Sequence, residues 1–282
     1  MAVLFALCCL ACSAVNDFIF KLFADRPMSR GVFFSIIGVI MSAAALWTVD
    51  FNAVSDNLSN TLLWSCAAGF FSIAGNILLI ESMGKLPAGI CSTIYRLNLI
   101  FVVPGAMFLF GEHLTPPQLT GVAAAVLAIL LFSVSTLKGE KKASLAGMTM
   151  ILTASLLRAG MGLTYKQAFR CHIQEETLVF VNGIFWVAGG LLYALLKDGK
   201  IRLPDRSVLG FSALSGLFVL GIVFFMAKSL QAGAAGVVLS IAQMSFLGTL
   251  LLSVLFLKEK LEPFKIAGIV CGTAAILLLT LK

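Results

Sequence analysis

The sequence predicts an all-α integral membrane protein of ten transmembrane helices, arranged as two inverted five-helix repeats. Three observations carry that prediction. Of the 282 residues, 60% are hydrophobic and 12% charged, about half the charge of a soluble domain, and the mean hydropathy is +1.04. A compact soluble fold cannot hide that much apolar surface, so bilayer must cover it. Next, the chain holds ten apolar stretches, each of the roughly 20 residues that a helix needs to cross about 30 Å of hydrocarbon. Finally, its two halves resemble one another.

The stretches run over 2–23, 31–49, 60–82, 88–110, 117–137, 144–166, 177–196, 207–228, 234–257 and 263–281. No Lys or Arg precedes the first one, and its apolar run continues through Asn16-Asp17 to Phe20. It reads as a retained helix rather than a cleaved signal. Charge and turn residues gather between stretches, as in Ala24-Asp25-Arg26-Pro27, Lys138-Gly139-Glu140-Lys141-Lys142 and Lys197-Asp198-Gly199-Lys200. The tract at 138–142 divides the chain into a first five-span repeat, 1–137, and a second, 138–282. No connection is long enough to form a soluble domain.

A net charge of +7 would point to nucleic acid in a soluble protein. Here the basic residues lie in short tracts beside apolar spans, so they set orientation and no nucleic-acid partner is expected. The seven cysteines lie mostly inside spans without metal-ligand spacing, and His113 and His172 are too few and too far apart to help. Buried thiols follow, with no metal and no cofactor.

Shifting the chain by 147 residues aligns 81–135 with 228–282 without a gap. The informative match is Glu-x-Leu-x-Pro-x4-Gly, at Glu112, Leu114, Pro116 and Gly121 and again at Glu259, Leu261, Pro263 and Gly268. Lys21 and Lys166 both close the first span of their half, after Phe20 and Tyr165. Five spans per repeat is an odd number, so the second copy enters the membrane upside down. Inverted repeats are a recurring design of secondary transporters, whose substrate sits near the midplane.

Ten spans in two halves, each ending its fourth span in a Gly-Glu-like element (Phe110-Gly111-Glu112-x-Leu114 and Leu257-Lys258-Glu259-x-Leu261), resemble the drug/metabolite transporter superfamily of the EamA type. A fifth span with an early Gly, Gly121 or Gly268, completes the likeness. The resemblance implies a helical bundle that moves small metabolites, amino acids or drugs without ATP hydrolysis.

Lys and Arg favour the cytoplasmic side of short loops. Fourteen of the twenty lie in odd-numbered connections, from Lys21 to Lys265, against four (Lys166, Arg170, Lys228 and Lys282) in even ones and the termini. Both termini are therefore expected outside, and the location is a bacterial inner membrane.

The remaining two cations lie inside spans, where an ionisable group costs at least about 2.5–3.5 kcal/mol on insertion scales. Arg96 sits in Ile94-Tyr95-Arg96-Leu97-Asn98, and Arg158 in Ser155-Leu156-Leu157-Arg158-Ala159-Gly160. Either arginine can face a cavity and hold a carboxylate or phosphate. Either can instead lock helices, by pairing with Asp17 or bonding backbone carbonyls. The shift pairs Arg96 with Gln243 and Asn98 with Ser245, which suggests a polar zone shared by the halves. Tyr95 meets Ala242, so the symmetry breaks there, as an asymmetric substrate requires. Pro104 is a candidate kink in the fourth span.

Asp17 is the one carboxylate well inside a span. A desolvated carboxylate exchanges protons readily, so Asp17 is the candidate for proton coupling, as a first-span carboxylate is in the small multidrug resistance proteins to which the resemblance extends. The competing reading is an intrahelical pair with Lys21, four residues on. Glu81, Glu112 and Glu259 close spans and read as structural acceptors, and Lys228 replaces Glu81 in the second copy. Asn76 and Asn182 are mid-span candidates for cavity lining or helix contact. Trp47, Trp64 and Trp186 include interfacial anchors, and Gly268 to Gly272 is a small-x3-small contact within the bundle or between subunits.

The reading is a secondary active transporter of an amino acid or other organic anion or zwitterion, more an exporter than an importer, monomeric or homodimeric. Arg96 holds the anion, Tyr95, Asn98, Gln243, Arg158 and Asn76 shape the pocket, and Asp17 couples protons. One competitor is an exporter of cationic drugs or quaternary amines with Asp17 as counter-ion, though three Tyr and three Trp offer little for an aromatic cage. The other is a membrane scaffold or embedded enzyme. No Gly-x-Ser-x-Gly, His-Glu-x2-His or phosphate-loop motif supports an enzyme.

Overall fold

A chain crossing hydrocarbon finds no water for its amides, so each span must close its own hydrogen bonds as a helix. The computed structural model describes residues 1–24, 28–51, 54, 57–83, 85–86, 91, 94–137, 144–199, 203–258 and 263–281, and their regular elements are helices throughout. They are α1 (Ala2–Ala24), α2 (Arg30–Leu46), α3 (Leu58–Met83), α4 (Leu99–Phe110), α5 (Pro116–Leu137), α6 (Leu145–Arg170), α7 (Glu175–Asp198), α8 (Arg206–Ala232), α9 (Ala235–Gln243), α10 (Ser245–Leu257) and α11 (Pro263–Thr280). Seven runs are long and apolar enough to cross a membrane, with α9 and α10 joined as Ala235–Phe256; Arg30–Leu46, Ile94–Phe110 and Pro116–Leu131 are shorter apolar helices.

Helix starts are fixed by side chains that take up the unpaired first-turn amides. Ser29 accepts from Val32 N–H before α2, Ser144 from Gly147 N–H before α6, and Asp205 from Val208 N–H before α8. Gly111 and Gly199 end α4 and α7 in the left-handed region, at φ +64° and +66°. Large apolar side chains such as Val39, Phe70, Phe108, Leu217 and Phe256 point outward. That much exposed apolar surface needs lipid around it.

The sequence reading treats 88–110 and 234–257 as unbroken spans. Both are broken in the structure, the first by a turn at Leu97–Asn98 ahead of α4 and the second at Met244 between α9 and α10.

Helices of the first half pack on helices of the second: α2 on α7, α5 on α11, α3 on α6 and α1 on α8. Lipid gives helices no hydrophobic reason to associate, so close approach of backbones has to supply the contact energy. The α2–α7 seam shows how. A Cβ added at Gly31 would lie 2.5 Å from Gly190 O, and one at Gly38 would lie 2.6 Å from Gly183 O. Ser35 and Ser42 lie along the same seam and donate to Val187 O (3.3 Å) and Phe180 O (3.1 Å). Gly121 packs on Leu278 and Leu279 of α11, and Gly272 on Leu247 of α10, so these small residues make contacts inside the bundle.

The interior is filled by Phe33, Phe34, Ile37 and Met41 of α2 with Tyr165 and Trp186. Trp186 is 4% exposed and donates its indole N–H to Ser72 Oγ at 2.8 Å, so it is an interior residue, whereas Trp47 stands on the surface.

Gly183→Ala forces a methyl against Ser42 and the Gly38 carbonyl and is expected to cost about 1–3 kcal/mol, the usual penalty of overpacking. Gly210→Ala enters open space on α8 and is expected to gain roughly 0.5–1 kcal/mol from helix propensity. Thermal melts of the two purified variants check the opposite signs.

Candidate functional site

Between the packed helices lies a cavity of about 690 Å³, within the range of roughly 300–1,000 Å³ typical of small-molecule sites. It reaches from mid-bundle to the end where α1 and α3 finish and α2 and α11 begin, and Phe23, Met83, Arg30 and Lys265 line it there. The seven residues singled out in the sequence all line it. Asp17 comes from α1, Asn76 from α3, Arg158 from α6 and Gln243 from the end of α9, while Tyr95, Arg96 and Asn98 precede α4.

Two broken helices bring polar backbone to its centre. Leu97 N–H donates to Ile94 O (3.2 Å) and Ile100 N–H to Leu97 O (3.0 Å); 147 residues on, Met244 N–H donates to Ile241 O and Leu247 N–H to Met244 O, both at 3.0 Å. Both breaks are therefore the same tightened turn at equivalent positions. Pro104 is not the cause of the first, since it lies further along, inside α4.

Arg96 sits where the breaks meet. Its Nη1 donates to Gln243 O (3.0 Å) at the C-terminal end of α9 and to Ser245 Oγ (2.6 Å), and its Nη2 pairs with Asp17 Oδ2. Ser245 Oγ also donates to Asp17 Oδ2, at 3.2 Å. Cation, carboxylate and the negative end of a helix dipole thus neutralise one another in low dielectric. Asp17 pairs with Arg96 across helices; the side chain of Lys21, its other candidate partner, lies outside the described residues. Side-chain exposure is 12% for Arg96 and 33% for Asp17, so the carboxylate keeps a face toward the cavity.

Arg158 differs. Its guanidinium lies over the Tyr95 ring, 5.7 Å from the centroid, and its Nη1 donates to the Met161 sulfur at 3.9 Å. Among the described residues it has no carboxylate within ion-pair distance. Among the described residues the lining holds four cations, Arg30, Arg96, Arg158 and Lys265, and one carboxylate, Asp17. Amides and hydroxyls complete the polar zone. Asn76 Nδ2 bonds Ser72 O one turn back, Asn182 Nδ2 bonds Tyr165 Oη, and Asn98 Nδ2 bonds Tyr95 O, each at 2.8 Å. The Oδ1 atoms of Asn98 and Asn182 are buried without a partner. Met41, Met161, Trp186, Val223 and Met226 make the apolar wall.

The span-end charges stand away from the cavity. Glu81 takes Lys197 (3.0 Å) and the Tyr193 hydroxyl (2.8 Å), and Lys228 takes Glu175 (2.5 Å). Glu112 accepts backbone amides and lies near Lys166, the acceptor role its position predicts; Glu259 falls outside the described residues. Sequence reasoning missed Trp186 as a cavity residue, because a lone Trp in an apolar span carries no sign of its facing. Among the described residues no group of His, Cys, Asp and Glu is placed to hold a metal.

Asp17→Ala is expected to destabilise by about 1–3 kcal/mol, below the cost of breaking a fully buried pair because Asp17 is a third exposed. The double variant Asp17→Ala/Arg96→Gln is expected to recover part of that loss, since neither charge of the pair is then left without the other. Melting temperatures of the singles and the double close the cycle.

A model of the EamA-like transporter family matches residues 1–134 and 145–281. The chain is 25% identical, over 172 residues, to a probable amino-acid metabolite efflux pump of Escherichia coli (strain K12). That match covers 61% of this chain and 46% of the relative, so the chain matches just under half of the relative's length. One crystal structure superposes with a TM-score of 0.77 over 99% of this chain and 96% of its own, at 14% identity, a likeness of fold. With apolar helices in a bundle and both halves matched, the chain is an integral membrane protein that belongs to the EamA-like transporter family.

Proposed function

We propose that the protein is a secondary active transporter that exports a small metabolite bearing an acidic group, an amino acid or other organic anion or zwitterion, by alternating access between two inverted repeats. The observation that carries the substrate class is Arg158, a guanidinium facing a 690 Å³ cavity with no carboxylate partner among the described residues. An intramembrane cation in that position is stabilised by an anion brought from outside. Arg96 also lines the cavity, but its fork is occupied by Asp17, Ser245 and Gln243 O. Arg158 therefore takes the anion in this reading, and Arg96 organises the floor beneath it. The curated relative's description as a metabolite efflux pump points the same way.

The packing supports the repeat reading. A shift of 147 carries α3 (58–83) onto 205–230, beside α8 (206–232), and α4 (99–110) onto 246–257, within α10 (245–257). Under the same exchange of halves, the α1–α8 contact becomes α6–α3, while α2–α7 and α5–α11 map onto themselves. These relations support ten spans, with Ile94–Phe110 and Ala235–Phe256 as the fourth and ninth, each broken at the site as transporter helices commonly are. With odd connections cytoplasmic, the cavity opens to the cytoplasm, the side from which an exporter loads.

Asp17 remains the coupling group. A proton on its carboxylate removes the charge opposite Arg96, freeing one arm of the guanidinium toward the cavity. The cationic-drug reading lacks a free carboxylate among the described lining residues, because Asp17 is already paired.

Ligand-induced thermal stabilisation tests the proposal. A ligand at a hundred times its Kd adds about 2.7 kcal/mol of stability. Amino acids and organic acids are expected to raise the melting temperature of wild type, and Arg158→Gln to weaken that response about 10- to 100-fold in concentration, the value of a charged hydrogen bond. Stabilisation by cations alone, unchanged in Arg158→Gln, would reject the anion site.

A further inference from the structure

We propose that Glu112 is a latch that holds the bundle shut at the end opposite the cavity mouth, and that its release opens that end. Glu112 follows α4 directly after the left-handed Gly111. Its Oε1 accepts from Ala235 N–H at 2.7 Å and its Oε2 from Gly236 N–H at 3.1 Å. These are the first two amides of α9, which no carbonyl within the helix can reach, so the carboxylate sits on the positive end of the helix. Lys166 Nζ lies 3.8 Å from Glu112 Oε1 and donates to Leu230 O (2.8 Å) and Gly233 O (2.5 Å) at the end of α8. One carboxylate from the first half thereby ties together α6, α8 and α9 of the second.

Arg170 of α6 also crosses between halves, with its guanidinium 5.5 Å from the centroid of the Phe110 ring, but as a ring contact without a carboxylate. Glu175 takes Lys228 on one oxygen and Gln231 on the other, but all three belong to the second half and can move as one body. Among the described residues, Glu112–Lys166 is the ion pair at this end that crosses between halves.

The latch also communicates with the site. The nine residues of α9 make a rod of about 13 Å. Its first turn is held by Glu112 and its last carbonyl, Gln243 O, by Arg96. Both clamps come from the first half of the chain. When Arg96 lets go of Gln243 O, as an arriving anion that draws the guanidinium away would favour, α9 keeps a charged tie to the first half at one end only, and the remaining clamp is the one that closes the far end. Opening then requires Glu112 to leave Ala235 and Gly236. This inference rests on the alternating-access reading for what opening accomplishes, but its test needs no substrate.

Hydrogen–deuterium exchange on the purified full chain, without ligand, compares wild type with Glu112→Ala, Glu112→Gln and Lys166→Met. In Glu112→Ala the amides of Ala235 and Gly236 are expected to exchange about tenfold faster or more, the factor for losing a charge-assisted hydrogen bond. The cavity-mouth segments 20–24, 79–83 and 263–266 are expected to slow as the equilibrium moves to the other face. Glu112→Gln keeps one acceptor and should shift both regions less in the same directions, as should Lys166→Met; these two carry the test if the alanine variant does not fold. Faster exchange confined to 234–238, with the mouth unchanged in every folded variant, would make Glu112 a structural cap and overturn the proposal. Unchanged exchange at 235 and 236 would overturn it equally. Failure of any metabolite to stabilise the protein would sink the transport reading and leave this result standing.

Discussion

A guanidinium at the centre of an apolar bundle must find opposite charge and acceptors or the bundle will not close around it, and Arg96 sets that condition for the rest of the site. Carbonyls away from a helix end already accept one bond, so a break in a helix is the readiest source of a free acceptor at that depth. The turns at Leu97–Asn98 and Met244 release backbone at the depth of Arg96 and bring Gln243 O within 3.0 Å of it. Asp17 from α1 and Ser245 from α10 supply the remainder. Three segments distant in sequence, around Asp17, Arg96 and Met244, are thus held to one point, and the cavity is the space left around it.

That arrangement leaves the two arginines unequal. Desolvation penalises both, but Arg96 has a carboxylate, whereas Arg158 has only the Tyr95 ring and the Met161 sulfur and, among the described residues, no carboxylate. An uncompensated cation in low dielectric is costly to the resting protein and favourable to any anion that arrives. Under the proposed function, the polar floor and the apolar wall of Met161, Trp186 and Met226 suit a ligand with an acidic head and an apolar body.

Much of this was legible in one sequence because the membrane restricts what a residue can mean there. An ionisable group within an apolar run has few roles, so Arg96, Arg158 and Asp17 stand out, and the structure gathers all three at one cavity with Tyr95, Asn98, Asn76 and Gln243. The helix breaks were not legible. Leu97 and Met244 are ordinary helix formers, and Pro104, the conspicuous breaker, sits inside a continuous α4. Tertiary bonds of Arg96 stabilise the breaks, and those depend on a partner 147 residues away. The choice of Arg96 for Asp17 depends in the same way on a contact across 79 positions. Trp186 shows the same gap, since facing on a uniformly apolar helix is set by neighbours that sequence periodicity cannot reveal.

Under the proposed alternating access, the α2–α7 seam bears on how the two halves move. Gly31 and Gly38 face Gly190 and Gly183, seven residues apart on each helix, so the contact is nearly smooth over two turns. Interdigitated side chains have to disengage before helices shift, whereas bare backbones can roll against one another while staying in van der Waals contact. The two serines that bridge the seam donate to carbonyls already bonded within α7, and such contacts can lengthen and re-form cheaply. The seam therefore has the properties of a bearing: it carries the load between the two halves of the chain without fixing the angle at which they meet.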